Sequence, residues 1–305
     1  MCDPSLDTTS RYADDVISAH RDLRYGNLLA AVGPDRFSHR ITRGDGLTTV
    51  ALATRDLPHR YLIGLQGFRF AQYLQLGWIC RDVAYYRAAF CEPVHSVHDD
   101  DQHVLTLAPD GQILGYVTLA TNGDERSWDL LDPRRARFPV ELAHGINIFE
   151  HIPAEPGVTS LHVRELKRFV HARSMTDRVQ RMRVSLELLY GLCHAAAAAS
   201  TPVATLVGDV EERGALRHLL LAGLPVQIIE GTAPVVSEHD LLRHAYTNRD
   251  AVKPFVSHID ADMIADRTSM MAEMLSSQDL FRAAAAASAA RPGALTRVRG
   301  ASRAG

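Results

Sequence analysis

The pattern of apolar and polar positions predicts a chain that alternates between helices and strands. Between residues 59 and 76 the apolar side chains recur at mostly helical spacing, and Gly77 follows at the position of a C-cap. Two strand-like runs, 103–108 and 112–120, are separated by Pro-Asp-Gly, which favours a tight turn. The pattern therefore predicts a helix followed by a β-hairpin, and residues 160–171 are predicted to form a further strand.

The second half of the chain continues the alternation. A long amphipathic helix is predicted at 176–199, then a strand at 203–207, a helix at 211–221 and a strand at 225–229. This order, preceded by a hairpin, predicts an α/β (α+β) fold with a mixed, mostly antiparallel central sheet and helices on both faces. Shorter helices are predicted at residues 12–29, 83–90 and 260–282.

Changes in composition suggest three parts: an N-terminal extension (1–55), a central domain (56–260) and a C-terminal segment (261–305). We expect the two terminal parts to be helical extensions. Residues 291–305 combine proline, glycine and arginine without apolar periodicity, so a disordered, solvated tail is predicted there. A basic tail that contacts RNA or an acidic partner is the alternative.

Composition and charge exclude several functions. The formal net charge is −3, with a pI near 6.6, which argues against a protein that coats nucleic acid. The four cysteines are widely spaced, so the sequence predicts neither a disulfide framework nor a metal site. The first thirty residues contain no apolar run, and no apolar stretch reaches the roughly 20 residues of a membrane span. We therefore expect a soluble, cytoplasmic protein.

Several segments carry a resemblance to one family. Residues 67–78, Gly-Phe-Arg-Phe-Ala-Gln-Tyr-Leu-Gln-Leu-Gly-Trp, resemble the first-helix signature of acyl-homoserine lactone synthases and of the related N-acyl amino acid synthases. Asp99-Asp100-Asp101, the hairpin end 115–119 and Glu-Leu-Lys-Arg-Phe-Val at 165–170 follow in that family's order. Phe-Pro-Val-Glu at 138–141 and Leu-Leu-Tyr-Gly-Leu at 188–192 are similar to the long-chain N-acyl amino acid synthase and exosortase-associated acyltransferase branch.

This resemblance covers about residues 60–235 and implies the fold of Gcn5-related N-acyltransferases. It also implies an enzyme that moves an acyl group from a thioester to the amine of an amino acid or related small metabolite. Two departures stand out. Thr118 occupies a strand position where lactone synthases typically have arginine, and some twenty residues separate Trp78 from the aspartates. We therefore do not expect homoserine lactone production.

The donor can be inferred from a missing motif and a charged segment. Residues 172–183 contain no glycine, so the glycine-rich loop that holds the pyrophosphate of CoA is absent. No bound cofactor is expected, and the acyl-phosphopantetheine of an acyl carrier protein is favoured over acyl-CoA. Basic residues between 164 and 183 suit an acidic carrier protein, although a solvated helix start is the alternative. The predicted carrier-binding residues are Arg173, Arg178 and Arg181.

Acyl transfer to an amine needs a base, an oxyanion donor and a channel for the acyl chain. Glu165 is the candidate base, or else a structural partner of a neighbouring arginine. Arg168 is the candidate for binding an acceptor carboxylate, with a structural ion pair as the alternative. Asp100 is the candidate for holding the amine, unless the three aspartates form a plain polar turn. The predicted substrate-binding residues are Arg69, Trp78, Phe169, Val170 and His171, with backbone N–H groups near the last two as oxyanion donors where two strands splay apart.

Other residue types leave alternatives open. A histidine base is one of them, and the candidates near the supposed pocket are His95, His98, His103, His162 and His171. Cys91 and Cys193 are interpreted as core residues. The competing functions are an aminoacyl-tRNA-dependent transferase and a non-catalytic acyl-binding module. A tunnel between the strands at 160–171 and 203–207 would favour the acyltransferase.

Overall fold

The computed structural model describes residues 4–93, 96–211, 214–247 and 252–299, with side chains from residue 8 onwards. The described residues form a nine-stranded sheet of order β1-β2-β3-β4-β5-β6-β8-β7-β9. Neighbouring strands are antiparallel except for the pairs β5/β6 and β7/β9. The strands are β1 (Phe37–Thr42), β2 (Thr48–Ala53), β3 (Gln102–Leu107), β4 (Ile113–Ala120), β5 (Val163–His171), β6 (Thr205–Val210), β7 (Val226–Glu230), β8 (Lys253–His258) and β9 (Leu295–Arg299).

Helices cover both faces of the sheet, so the predicted mixed α/β fold is confirmed. The helices are α1 (Pro4–His20), α2 (Leu28–Ala31), α3 (His59–Leu76), α4 (Arg81–Tyr86), α5 (Pro139–His144), α6 (Arg178–Ala197), α7 (Ala215–Leu221), α8 (Arg243–Thr247), α9 (Ala261–Ser276) and α10 (Leu280–Ala290). Val104 and Val117 point to the face covered by α6, whereas Leu105 and Tyr116 pack on the α3 side. This alternation follows from the two-residue period of a strand.

The two elements with the clearest local signals form as the sequence predicts. Gly77 adopts a φ of 69° at the end of α3, and the N–H groups of Gly77 and Trp78 donate to Leu74 and Tyr73. Gly111 adopts a φ of 81° in the turn between β3 and β4. Both positions need a left-handed backbone, which glycine adopts without steric cost.

The terminal segments contain helices α1, α9 and α10, as predicted for helical extensions, and they also contribute strands to the sheet, which the sequence did not predict. Strands β1 and β2 lie within the first 55 residues, and β2 is fully buried because it pairs with β3 in the sheet. At the other end, β9 pairs in parallel with β7, so the predicted disorder is wrong for residues 295–299. Short strands of this kind gain their stability from cross-strand partners that the local sequence does not reveal. Residues 300–305 lie outside the described residues, and the three-part division of the chain stays a prediction.

Strand β8 is a further element that the sequence analysis missed. It lies between β6 and β7 and completes the half of the sheet that follows β5. Among the residues that the structure describes, no helix is both long enough and apolar enough to cross a membrane.

Candidate active site

The central feature of the sheet is a gap between β5 and β6. In the described structure these parallel strands pair over residues 163–165 and 205–207, after which both strands continue without pairing to each other. Gly208 lies at this point, and a Cβ atom there would come 2.8 Å from the carbonyl oxygen of Leu166. A glycine therefore allows the two backbones to approach closely just before they diverge.

A bulge in β5 faces this gap. Tyr116 of β4 pairs with Val170, whereas Thr118 pairs with Lys167, so β5 has one residue more than β4 between these two pairs. Arg168 lies in the bulge with a φ of 65°. A left-handed conformation costs a residue with a Cβ atom about 1–2 kcal/mol. The bulge breaks the regular alternation of β5, and residues 165–169 all border one cavity.

This cavity has a volume of about 520 Å³ and opens between β5 and β6. It reaches both faces of the sheet, since Arg69 and Tyr73 of α3 border it on one side and Ala215 and His218 of α7 on the other. Of the predicted site residues, the cavity wall contains Arg69, Trp78, Glu165, Arg168, Phe169 and His171.

Glu165 is a buried carboxylate in the wall of the cavity. Glu165 is only 4% exposed, and its Oε2 has no hydrogen-bond partner within the described part of the chain. Burial raises the pKa of Glu165 to about 7, opposed by the positive charge of Lys167 and reinforced by the negative charge of Asp209. Burial also lowers the pKa of Lys167. A carboxylate with such a pKa can accept a proton at neutral pH.

Arg168 is a buried cation with unused donors. The residue is 6% exposed, and Nε and Nη1 have no hydrogen-bond partner among the residues that the structure describes. A buried guanidinium without an acceptor is costly, and a carboxylate that binds in bidentate fashion would satisfy it. The arrangement suits an anionic group on a ligand.

The α3 side of the cavity is built from an ion pair and two aromatic rings. Arg69 pairs with the buried Glu92, and its guanidinium lies 4.8 Å from the centre of the Tyr73 ring. Tyr73 and Trp78 meet edge to face at 5.0 Å. Arg69 therefore has a carboxylate partner, whereas Nε and Nη1 of Arg168 have none in the described part of the chain.

The α6 side of the cavity contains a pair of histidines around one hydroxyl. Ser185 Oγ donates to the carbonyl of Arg181 at 2.9 Å, so it accepts from Nε2 of His171 at 2.9 Å and of His218 at 3.0 Å. Burial lowers the pKa of His171 to about 4, helped by His218 and Arg181. His171 is thus neutral at pH 7, with the Nε2–H tautomer fixed by Ser185.

A small apolar chamber lies behind Leu166, which borders both it and the main cavity. The chamber has a volume of about 40 Å³ and lies between the sheet, α6, α7 and α9. Leu192 and Cys193 of α6 face Met263 and Met271 of α9 across it. Burial raises the pKa of Cys193 to about 12, so this thiol is not a nucleophile at neutral pH.

Two predicted site residues lie elsewhere. Asp100 is exposed and pairs with Arg55 at 2.8 Å, outside the cavity wall, so its placement gives no support to an amine-binding role. The neighbouring Asp101 is buried and accepts from the backbone N–H groups of His98 and Thr121, which makes it a turn residue. The side chain of Val170 packs in the core on the α3 side, and the oxyanion role of its backbone stays a prediction.

The three arginines predicted to bind a carrier protein are exposed at the junction of β5 and α6. Arg181 lies close enough to His171 to influence the pKa of that ring. Arg178 lies 5.7 Å from the ring of Phe281 in α10. The patch of Arg173, Arg178 and Arg181 therefore lies beside the α6 side of the cavity, and its binding role stays a prediction.

Among the histidine candidates, only His171 borders the cavity within the described residues, and His95 lies outside them. His103 is a buried residue of β3. Its Nδ1 accepts a hydrogen bond from the Tyr116 hydroxyl, and its Nε2 donates one to Thr54. Thr118 donates to the Tyr116 hydroxyl at 2.9 Å. The position where lactone synthases have arginine is therefore the end of a buried hydrogen-bond chain.

Sequence reasoning missed several residues of the cavity wall, namely Tyr73, Glu92, Lys167, Asp209, His218 and Tyr246. Two of them carried a signal. Lys167 is one of two lysines in the sequence, and Asp209 is a charged residue within an apolar strand. In the part of the chain that the structure describes, no three His, Cys, Asp or Glu side chains are arranged to hold a metal ion.

The matches of this chain to known proteins come from solved structures. No protein-family profile matches the chain, and no curated protein does. Among solved structures, the CoA-dependent acyl-homoserine lactone synthase BjaI is 14% identical, with 78% of this chain and 97% of that chain covered and a TM-score of 0.42. The AHL synthase LasI is 18% identical, with coverage of 72% and 95% and a TM-score of 0.43.

A protein described as a phosphinothricin N-acetyltransferase also matches, with 8% identity, coverage of 70% and 99%, and a TM-score of 0.35. Lactone synthases and an N-acetyltransferase are thus among the solved structures to which this chain is similar. With scores this low they say nothing about the reaction, the donor or the acceptor of this chain, for which the geometry of the cavity is the guide.

Proposed function

We propose that the protein is an N-acyltransferase that moves an acyl group from a carrier-protein thioester to the amine of an amino acid. The observation that carries this proposal is the pairing of two buried, unsatisfied groups in one cavity. Glu165 offers a carboxylate oxygen without a partner, and Arg168 offers guanidinium donors without a partner among the described residues. A base and an anion-binding group side by side match the two ends of an amino acid.

The reaction balances without a cofactor. The amine nitrogen forms a bond to the thioester carbon as the carbon–sulfur bond breaks, and the products are an amide and a thiol. Glu165 takes the proton that the nitrogen loses, and the departing sulfur takes a proton in turn. Because the pKa of Glu165 is raised to about 7, its carboxylate is a stronger base than an exposed glutamate would be.

The acceptor is held through its carboxylate. Arg168 lies three positions beyond Glu165 on β5, and the bulge lets both residues border the same cavity. A bidentate contact to Arg168 would orient the acceptor so that its amine faces Glu165. Amines without a carboxylate would leave the buried guanidinium unsatisfied and would be poor acceptors.

The donor side favours a carrier protein over CoA. Asp177 caps α6, and its Oδ1 accepts from the N–H of Val179 at 2.8 Å. The helix N-terminus that could bind a pyrophosphate is therefore already occupied by a carboxylate, which repels a second anion. Around it, Arg173, Arg178 and Arg181 present the positive charge that an acidic carrier protein would need.

The acyl chain would extend into the apolar chamber behind Leu166. The chamber adjoins the main cavity at this residue, and Met263 and Met271 supply flexible walls. As it stands the chamber is small, so chain entry requires the methionine side chains to move. An unsubstituted acyl chain suits this apolar lining.

The tRNA alternative is not proposed. Its support was the arginine patch together with a basic tail, but the described part of that tail is strand β9, where Arg297 pairs with Glu230. A non-catalytic binding module is also disfavoured, because burial raises the pKa of Glu165 to about 7, which suits a general base.

The proposal is tested by product analysis. The purified protein is incubated with acyl carrier proteins bearing chains of several lengths, or with acyl-CoA, and with a pool of amino acids and matched amines that lack the carboxylate. We expect N-acyl amino acids, detected by liquid chromatography and mass spectrometry, and no products from the matched amines. Glu165→Gln should abolish them, whereas Glu150→Gln, a change at an exposed glutamate, should not. The absence of N-acylated products with every donor would refute the proposal.

A further inference from the structure

We propose that Asp209 is a positioning residue that acts on Glu165 through its negative charge, so that Glu165 accepts the amine proton near neutral pH. This inference rests on the proposed function, because it concerns the base of that reaction. It assigns a purpose to a cluster of polar side chains outside the predicted site, formed by Asp209, His144 and Tyr246.

Asp209 is held at both carboxylate oxygens. His144 donates from Nε2 to Oδ1 at 2.9 Å, and the Tyr246 hydroxyl donates to Oδ2 at 3.0 Å. The donors come from α5 and α8, so two separate helices hold the carboxylate. Two donors to one carboxylate fix its orientation.

The register of the sheet brings this charge close to Glu165. Glu165 pairs with Val207 across the parallel ladder, and Asp209 lies two residues further along β6. Residues two apart on a strand share a face, so Asp209 lies on the same face of the sheet as Glu165. Both carboxylates border the cavity at the point where the ladder ends.

The other groups that face Glu165 come from every neighbouring element. On β5, Lys167 and Arg168 favour the charged form of Glu165, as does the backbone N–H of Val140 in α5. Asp209 on β6 opposes it, and the Tyr246 hydroxyl on α8 lies within electrostatic range of Glu165. Without Asp209, Lys167 and Arg168 would still lower the pKa of Glu165, and burial alone would raise it. Glu165 would then be a weaker base.

The competing explanation is that Asp209 only links β6 to α5 and α8 through its hydrogen bonds, as a structural tie. The variant Asp209→Asn distinguishes this tie from an effect of the charge. The amide has the shape of the carboxylate and can still accept from Tyr246. Nδ1 of His144 has no hydrogen-bond partner among the described residues, so the ring can change tautomer and accept from the new amide. The variant therefore keeps the tie and removes the charge.

The experiment is a titration of Glu165 by carbon-13 NMR in protein labelled at the glutamate carboxyl carbons, with Glu165→Gln to identify the signal. We expect the midpoint to fall by about 1 pH unit in Asp209→Asn. Asp35→Asn, a change at an exposed aspartate, should leave it in place. An unchanged midpoint in folded Asp209→Asn would make Asp209 a structural tie only.

A second variant covers the case in which Asp209→Asn does not fold. Tyr246→Phe removes one hydrogen-bond donor to Asp209 and keeps the Asp209 charge, which is then less compensated. The titration midpoint of Glu165 should therefore rise. An unchanged or lower midpoint would contradict the proposal. The titration needs no donor or acceptor. It therefore fails or succeeds independently of turnover, and a lack of N-acylated products would count against the proposed function alone.

Discussion

Glu165 and Arg168 show how a few residues of one strand define a reactive site. Both residues are almost completely buried, and each has at least one side-chain polar atom without a hydrogen-bond partner among the described residues. Unsatisfied buried groups of this kind are retained where a ligand completes them. The left-handed backbone at Arg168 adds a local strain that is typical of functional positions.

The state of Glu165 predicts the pH dependence of the reaction. Its pKa is raised to about 7, so the carboxylate is protonated below that pH and ionised above it. We expect kcat/KM for acyl transfer to rise roughly tenfold per pH unit below the midpoint and to level off above it. A profile that is flat between pH 5 and about 8 would show that Glu165 is not the base.

Removing the guanidinium of Arg168 tests the acceptor site. Arg168→Gly also relieves the left-handed strain, so the fold should be retained. We expect KM for the amino acid to rise by about 10²-fold or more, because a buried charge-assisted contact is lost. Kinetics with the exposed-arginine control Arg126→Gly should match the wild type. An unchanged KM in Arg168→Gly would remove Arg168 from the acceptor site.

At the scale of elements, the site exists because β5 and β6 stop pairing after a short parallel ladder. Gly208 is the residue that permits this, since its Cα lies against the backbone of Leu166. The chain then places β6, α5 and α8 so that Asp209 and Tyr246 border the cavity, with His144 bound to Asp209.

Gly208→Ala tests the close approach of the two strands. The new methyl group would lie 2.8 Å from the Leu166 carbonyl oxygen, so one of the strands must shift. We expect the free energy of unfolding to fall by about 1–3 kcal/mol, measured by chemical denaturation. Gly44→Ala is the matched control, because nothing lies within 4 Å of the added methyl group there. Equal stability of the two variants would contradict the tight packing at Gly208.

The elements that the sequence predicts well are those with local signals. The α3 helix and the hairpin of β3 and β4 form close to their predicted bounds, because Gly77 and Gly111 end or turn the chain by their own conformational freedom. The edge strands β1 and β9 and the internal strand β8 depend on distant partners, so the local pattern does not reveal them. The same holds for the site. Glu165 and Arg168 follow from a motif, whereas Asp209 and Tyr246 come together only through the fold.

At the scale of the whole molecule, the arginine patch, the main cavity and the apolar chamber follow one another from the surface to the interior. The arginines at the start of α6 lie outside, the cavity between β5 and β6 follows, and the apolar chamber under α9 lies innermost. Helix α9 packs on α6 and closes this chamber. A segment beyond the family resemblance in the sequence thus completes the space that we assign to the acyl chain.

Filling the chamber should change the preferred acyl chain. Ala196 lies on α6 in the chamber wall, and Ala196→Leu would occupy part of the free volume. We expect kcat/KM to fall by about tenfold or more for each methylene that no longer fits, with the shortest chains least affected. Ala197→Leu, at an exposed position of the same helix, is the control. The same chain preference in both variants would place the acyl chain elsewhere.

The most direct test of acyl transfer is the intact mass of an acyl carrier protein loaded with a medium-length chain. It is measured after incubation with the wild type or Glu165→Gln, with and without amino acids. The account predicts loss of the acyl mass only with the wild type and only when an amino acid is present. Retention of the acyl group under every condition, or its loss without an amine, would contradict transfer to an amino acid in the cavity between β5 and β6.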